Sequence, residues 1–198
     1  MLPGADIARG APRDTRAAAG WALLVLGLLG LAAAFALAVE RVMLLADPDY
    51  IPTCSLNPVL SCGSVMTTEQ AQVLGFPNPF IGIVAFTVVV TTAVVVLTGA
   101  ALPRWYWAGL ATGSVLGLAF VHWLIYQSLY SINALCPYCM VVWAVQLPLT
   151  IIAVGRAWPP GRLASAVAPW RWHIVVIWYV LVLALIAERF WYYWSTLL

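Results

Sequence analysis

The chain has 198 residues, enough for one compact unit; 64% are hydrophobic, 8% are charged and the mean hydropathy is +0.97. Globular domains carry about half apolar and about a quarter charged residues, so this composition excludes a soluble single domain and a disordered chain alike. The nine basic residues are all arginine and face seven acids, a balance of +2 that is too small and scattered for nucleic-acid binding.

A membrane-spanning helix needs about 20 mostly apolar residues. Five stretches qualify in chain order: Gly20 to Ala46, Pro79 to Leu102, Trp105 to Leu129, Pro137 to Val154 and His173 to Ala187. Backbone groups in lipid must be bonded within their own segment, so each run reads as a helix. The predicted fold is an all-α integral membrane protein with five transmembrane helices in a single domain over 1–198. Glu40 and Arg41 mark where the first helix leaves the hydrocarbon, and one long polar connection, Asp47 to Asn78, follows it.

Arg13 and Arg16 before an apolar run, with Ala36-Leu37-Ala38 resembling a cleavage site, also fit a signal peptide. The run continues through Val42 to Ala46, longer than a typical signal core, which favours an uncleaved helix.

Arginine placement predicts orientation. The N-terminus, the turn before the third helix and the loop before the fifth carry Arg9, Arg13, Arg16, Arg104, Arg156, Arg162 and Arg171, whereas the other side carries only Arg41 and Arg189. The positive-inside rule then puts the N-terminus in the cytoplasm of a plasma-membrane protein and the C-terminus outside, after the interfacial aromatics Phe190 to Trp194. The long loop and the start of the fourth helix face the oxidising exterior, where disulfides persist.

All four cysteines lie there. Cys54 and Cys62 belong to the long loop, while Cys136 and Cys139 form C-P-Y-C. Four thiols allow three pairings. Pro favours the first helical position, making Pro137 N1, Cys136 the N-cap and Cys139 N3. The unpaired N–H groups of a helix start stabilise a thiolate, the nucleophile of disulfide exchange. A structural disulfide or two buried small hydrophobes is the plainer alternative. Zinc fits poorly, because seven residues separate Cys54 from Cys62 and structural ligand pairs are spaced by about two to four; no metal is expected. A loop disulfide between Cys54 and Cys62 would reach both a soluble protein outside and the helix-start pair. That pair could in turn reduce a quinone, which diffuses in lipid and accepts two electrons.

At these residues the sequence resembles the vitamin K epoxide reductase family, in particular bacterial members without a fused thioredoxin domain. The resemblance spans about Cys54 to Trp143 and is carried by Cys54-Ser55-Leu56-Asn57, Ser61-Cys62-Gly63-Ser64-Val65, Phe76-Pro77-Asn78-Pro79-Phe80-Ile81-Gly82 and Cys136-Pro137-Tyr138-Cys139. It implies that four of the five helices form a quinone-binding bundle and that the protein is a thiol–disulfide oxidoreductase. The family roles make Cys139 face the quinone, menaquinone or ubiquinone, while Cys136 exchanges with Cys62 and Cys54 receives electrons from a DsbA-like thioredoxin-fold partner. Asn78 matches the asparagine that bonds a quinone carbonyl, and Thr68 falls where the family has Ser or Thr near the site. The chain stops at Leu198 without a thioredoxin-like segment, so the partner is expected in trans. Where animal members have tyrosine, this chain has Trp143, which has no hydroxyl, so the resemblance by itself does not imply epoxide reduction or anticoagulant sensitivity.

The remaining polar residues have two readings each. Asn78 suits a plain N-cap before Pro79. Trp143 and Gln146 follow Cys139 on one helix face and either line a quinone pocket or, for Gln146, bond a neighbouring helix. His122 inside the third helix is either a proton carrier or a neutral interhelical bond. Two other functions remain: a DsbB-like quinone reductase, whose cysteine order is reversed, and a non-catalytic scaffold stiffened by disulfides. Alkylation trapping separates the scaffold, whose thiols do not respond to quinone depletion.

Overall fold

The computed structural model describes residues 13–158 and 168–196. Among them are α1 (Arg13–Ala46), the short α2 (Cys62–Met66), a 3-10 turn (Glu69–Gln72), α3 (Pro79–Leu97), α4 (Arg104–Tyr126), α5 (Pro137–Ala157), α6 (Arg171–Arg189) and the terminal turn α7 (Trp191–Trp194). Five helices are long and apolar enough to cross a membrane, and the described residues contain no strand beyond one isolated bridge. The fold is an all-α membrane protein.

α1 ends at Ala46 as the hydropathy reading expects, whereas α3 and α4 end elsewhere. α1 runs through Glu40 and Arg41, which are buried at 7% and 9% exposure, because the loop after Ala46 folds back over that end. α3 stops at Leu97 rather than Leu102: Gly99 takes φ +86°, and the N–H groups of Gly99 and Ala100 close onto the carbonyls of Val96 and Val95. That is a Schellman stop, which hydropathy alone does not see. α4 instead outruns Leu129, continuing as a π-helical turn over Gln127–Ile132 that ends where Asn133 enters the left-handed region at φ 58°.

The first four spanning helices share one core, in which Leu23, Phe86, Trp107 and Leu149 meet. Small residues bring α1 against α3: a Cβ on Gly30 would lie 2.3 Å from the Phe86 ring, and one on Gly82 would lie 3.0 Å from the Ala34 Cβ. Close approach of this kind replaces the hydrophobic drive that lipid does not supply. At the arginine-bearing end, the Arg156 guanidinium donates to the Thr15 carbonyl at 3.3 Å and sits 5.6 Å from the Trp107 ring, tying three helices together. Arg9 and Arg162, which entered the orientation reading, lie outside the described residues.

α6 packs at the edge, with only 11% of its apolar window buried. Its anchor is chemical. Pro148 inside α5 has no N–H, which frees the Ala144 carbonyl one turn earlier, and the Tyr179 hydroxyl donates to that carbonyl at 2.6 Å. Phe190, grouped in the sequence with the interfacial aromatics, is fully buried against a cluster containing Leu129, Leu135 and Trp143, while Trp191 and Tyr192 stay exposed.

Candidate redox site

The site forms where the long loop meets the start of α5. Asn57 Oδ1 accepts from the N–H groups of Val59 and Leu60, shaping a turn that presents Leu60 as a one-residue strand. Leu60 pairs in parallel with Leu135: the Ser61 N–H donates to the Leu135 carbonyl at 2.9 Å, and the Leu135 N–H donates to the Val59 carbonyl at 2.7 Å. The residue after each bonded pair opens a helix. Ser61 caps α2, accepting the Ser64 N–H at 3.3 Å, so Cys62 is its first residue; Cys136 is the N-cap of α5, with Pro137 at N1.

The cysteine sulfurs are thereby brought together. Cys54 and Cys62 form a disulfide with a Cα–Cα separation of 5.6 Å, and Cys62 Sγ lies 3.0 Å from Cys136 Sγ. Cys136 and Cys139 are free thiols; the first is fully buried and the second half-buried. The Sγ atoms of Cys54, Cys62 and Cys136 all lie within 4.8 Å of one another, but two of them are joined to each other and offer no thiolate to an ion. Leu37 from α1 and Val65 and Met66 from α2 pack around these sulfurs.

The pair at the start of α5 is electronically unequal. A hydrogen bond from the Cys139 thiol draws the Cys136 pKa below the usual thiol range; the backbone N–H groups of Cys139 and Tyr138 add to the effect, and burial opposes it. The Cys139 thiol, helped by the N–H groups of the helix start, therefore favours the thiolate on the sulfur that faces Cys62.

The other residues singled out in the sequence are placed less uniformly. Trp143 is 3% exposed and belongs to the apolar cluster against which Cys139 packs. The Thr68 hydroxyl donates to the Val65 carbonyl at 2.8 Å, bracing the segment after Cys62. Asn78 does not cap α3 with its side chain. Instead its amide donates to the Gln70 carbonyl at 2.7 Å and its oxygen accepts the Val73 N–H at 3.1 Å, holding the end of the loop together.

Gln146 and His122 make interhelical bonds. Gln146 Nε2 donates to the Ser114 carbonyl at 2.9 Å. Trp178 Nε1, which can only donate, reaches His122 Nε2 at 2.8 Å, so Nδ1 carries the proton shared with the Leu118 carbonyl.

Two features of the site were not singled out in the sequence. One is the Leu60–Leu135 bridge. The other is Arg189, whose Nε donates to the Leu129 carbonyl at 2.9 Å while its guanidinium also bonds Asn133 Oδ1, fixing the turn that leads to Cys136. Asn57 before a short loop and Asn133 before an extended pair are the local signals for such turns.

The model of the vitamin K epoxide reductase family matches residues 21–154. The chain belongs to this family. No curated protein matches it. Membership makes the protein a membrane thiol–disulfide oxidoreductase, and the matched span runs from α1 through the disulfide loop to α5, containing all four cysteines.

Proposed function

We propose that the protein reoxidises a DsbA-like thioredoxin-fold partner outside the cytoplasm and passes the electrons to a membrane quinone, menaquinone or ubiquinone. The N-terminus is cytoplasmic, the cysteine-bearing end faces outward, and the membrane is the plasma membrane. The observation that carries this reading is the 3.0 Å approach of Cys62 Sγ to Cys136 Sγ, with one pair oxidised and the other reduced.

Each protein step is a thiolate displacement. A partner thiolate attacks Cys54, and Cys62 leaves as a thiolate; the partner's second thiolate then closes its own disulfide and releases Cys54. Cys62 attacks Cys136 of an oxidised Cys136–Cys139 pair, expelling Cys139 as a thiolate. Cys54 next attacks Cys62, the Cys62–Cys136 bond breaks, and Cys136 leaves carrying the electron pair. The arrangement described above, with Cys54–Cys62 closed and two thiols at α5, is the product of this exchange.

The quinone supplies a two-electron, two-proton sink when bound. Cys139 suits the role of its reductant, being half-buried at the membrane end of the pair whereas Cys136 is enclosed. Asn78 retains a second amide hydrogen beyond the one given to Gln70, so it can donate to a quinone carbonyl without releasing the loop. Trp143, packed beside Cys139, and Thr68, bracing the segment after Cys62, shape the surroundings.

The test mixes purified protein in detergent with a reduced thioredoxin-fold protein and a quinone, and compares Cys139→Ser. The wild type reduces quinone at the expense of partner thiols and the variant does not. Equal quinone reduction by the variant removes Cys139 from this role.

A further inference from the structure

Glu40 is an acid in the outer part of a spanning helix, 7% exposed, where a carboxylate without partners would be expensive. Its partners all come from the loop arm that ends in Cys54. The Tyr50 hydroxyl donates to Oε2 at 3.0 Å, the Thr53 N–H donates to the same oxygen at 3.2 Å, and the Thr53 hydroxyl donates to Oε1. The first of these bonds pushes the Tyr50 pKa above its ordinary value. Three donors from four residues of arm converge on one carboxylate, and the last of them adjoins Cys54.

Two demands fall on that arm. Cys54 is 5% exposed, so a soluble partner reaches it only when the arm lifts; yet Cys54 must return to Cys62 to resolve a Cys62–Cys136 intermediate. We propose that Glu40 is the latch of the Cys54 arm, a positioning residue that holds Cys54 over Cys62 for the internal exchange and resists its release to the partner. This rests on the relay proposed above. In the latched step the Cys54 thiolate attacks Cys62 Sγ, the S54–S62 bond forms, the S62–S136 bond breaks, and Cys136 departs as the thiolate. No external electrons are needed.

A latch moves two rates in opposite directions, which simple loss of stability does not do. In Glu40→Leu, and in the double variant Tyr50→Phe/Thr53→Val, which lies outside the spanning helices, reduction of the Cys54–Cys62 bond by a reduced thioredoxin-fold protein becomes faster. Resolution becomes slower: when protein with all four thiols reduced is oxidised by one equivalent of quinone and quenched by alkylation at intervals, Cys54–Cys62 forms about tenfold more slowly and Cys62–Cys136 accumulates. Glu40→Gln, whose amide can accept from the arm and donate to the Thr53 hydroxyl, recovers most of the lost rate. Wild-type resolution in the double variant overturns the latch, whether or not Glu40→Leu folds. Should quinone fail to oxidise the wild type, the quinone reading fails by itself, and diamide as oxidant still reads the latch by the same two rates.

Discussion

Cys62 and Cys136 stand 74 positions apart in the chain, yet their sulfurs approach to 3.0 Å. The approach is set by backbone, since the Leu60–Leu135 bridge ends at the residues that open α2 and α5. Ser61→Pro removes the N–H that bonds the Leu135 carbonyl and conflicts with the φ of −136° at that position. Both pairs remain able to form disulfides, but exchange between them slows by about tenfold or more, as small displacements of reacting atoms do. Timed alkylation after oxidation of the α5 pair measures this rate, and wild-type exchange in the variant excludes the bridge as the positioning element.

Acidity at Cys136 depends on Cys139. The Cys139 thiol donates to Cys136 and lowers its pKa, so the thiolate of Cys136 persists to lower pH than that of an ordinary thiol. Cys139→Ala removes the donor while burial continues to oppose ionisation. The pH at which Cys136 is half-alkylated then moves upward, as followed by mass spectrometry in protein whose Cys54–Cys62 bond is closed. An unchanged midpoint assigns the lowering to the backbone of the helix start instead.

Tyr179 supplies the hydrogen bond that Pro148 takes away from Ala144. Tyr179→Phe leaves a carbonyl unpaired between helices in a lipid setting and costs about 1–3 kcal/mol. Thermal unfolding in detergent reads the loss, and the thiol state of the four cysteines stays as in the wild type because the bond lies on α5 away from them. A variant as stable as the parent shows that Ala144 finds another donor.

The spans were legible because long apolar runs have one solution in lipid, and C-P-Y-C announced a helix start because proline and cysteine occupy positions with known preferences. What was not legible was tertiary. A one-residue bridge between Leu60 and Leu135 leaves no periodicity. The extra turn of α4 depends on Arg189, far along the chain, meeting Asn133 and the Leu129 carbonyl. Asn78 suited an N-cap as well as a quinone contact; its side chain caps nothing and bonds Gln70 and Val73 within the loop, keeping one amide hydrogen. Glu40 read as the point where the first helix leaves the hydrocarbon because an acid in an apolar run suggests water; in the structure an arm of the loop provides the donors. Local preference marked where elements begin, and contacts between distant residues decided how the sulfurs meet.

The central claim is that electrons cross between the two pairs through Cys62 and Cys136. Cys54→Ser removes the resolving thiol, so oxidising the reduced variant with quinone and mapping its alkylated peptides by mass spectrometry reads the crossing directly. The account predicts a stable Cys62–Cys136 disulfide with Cys139 left as a thiol, abolished by adding Cys136→Ser. A variant that stops at Cys136–Cys139, with Cys62 remaining a free thiol throughout, contradicts it.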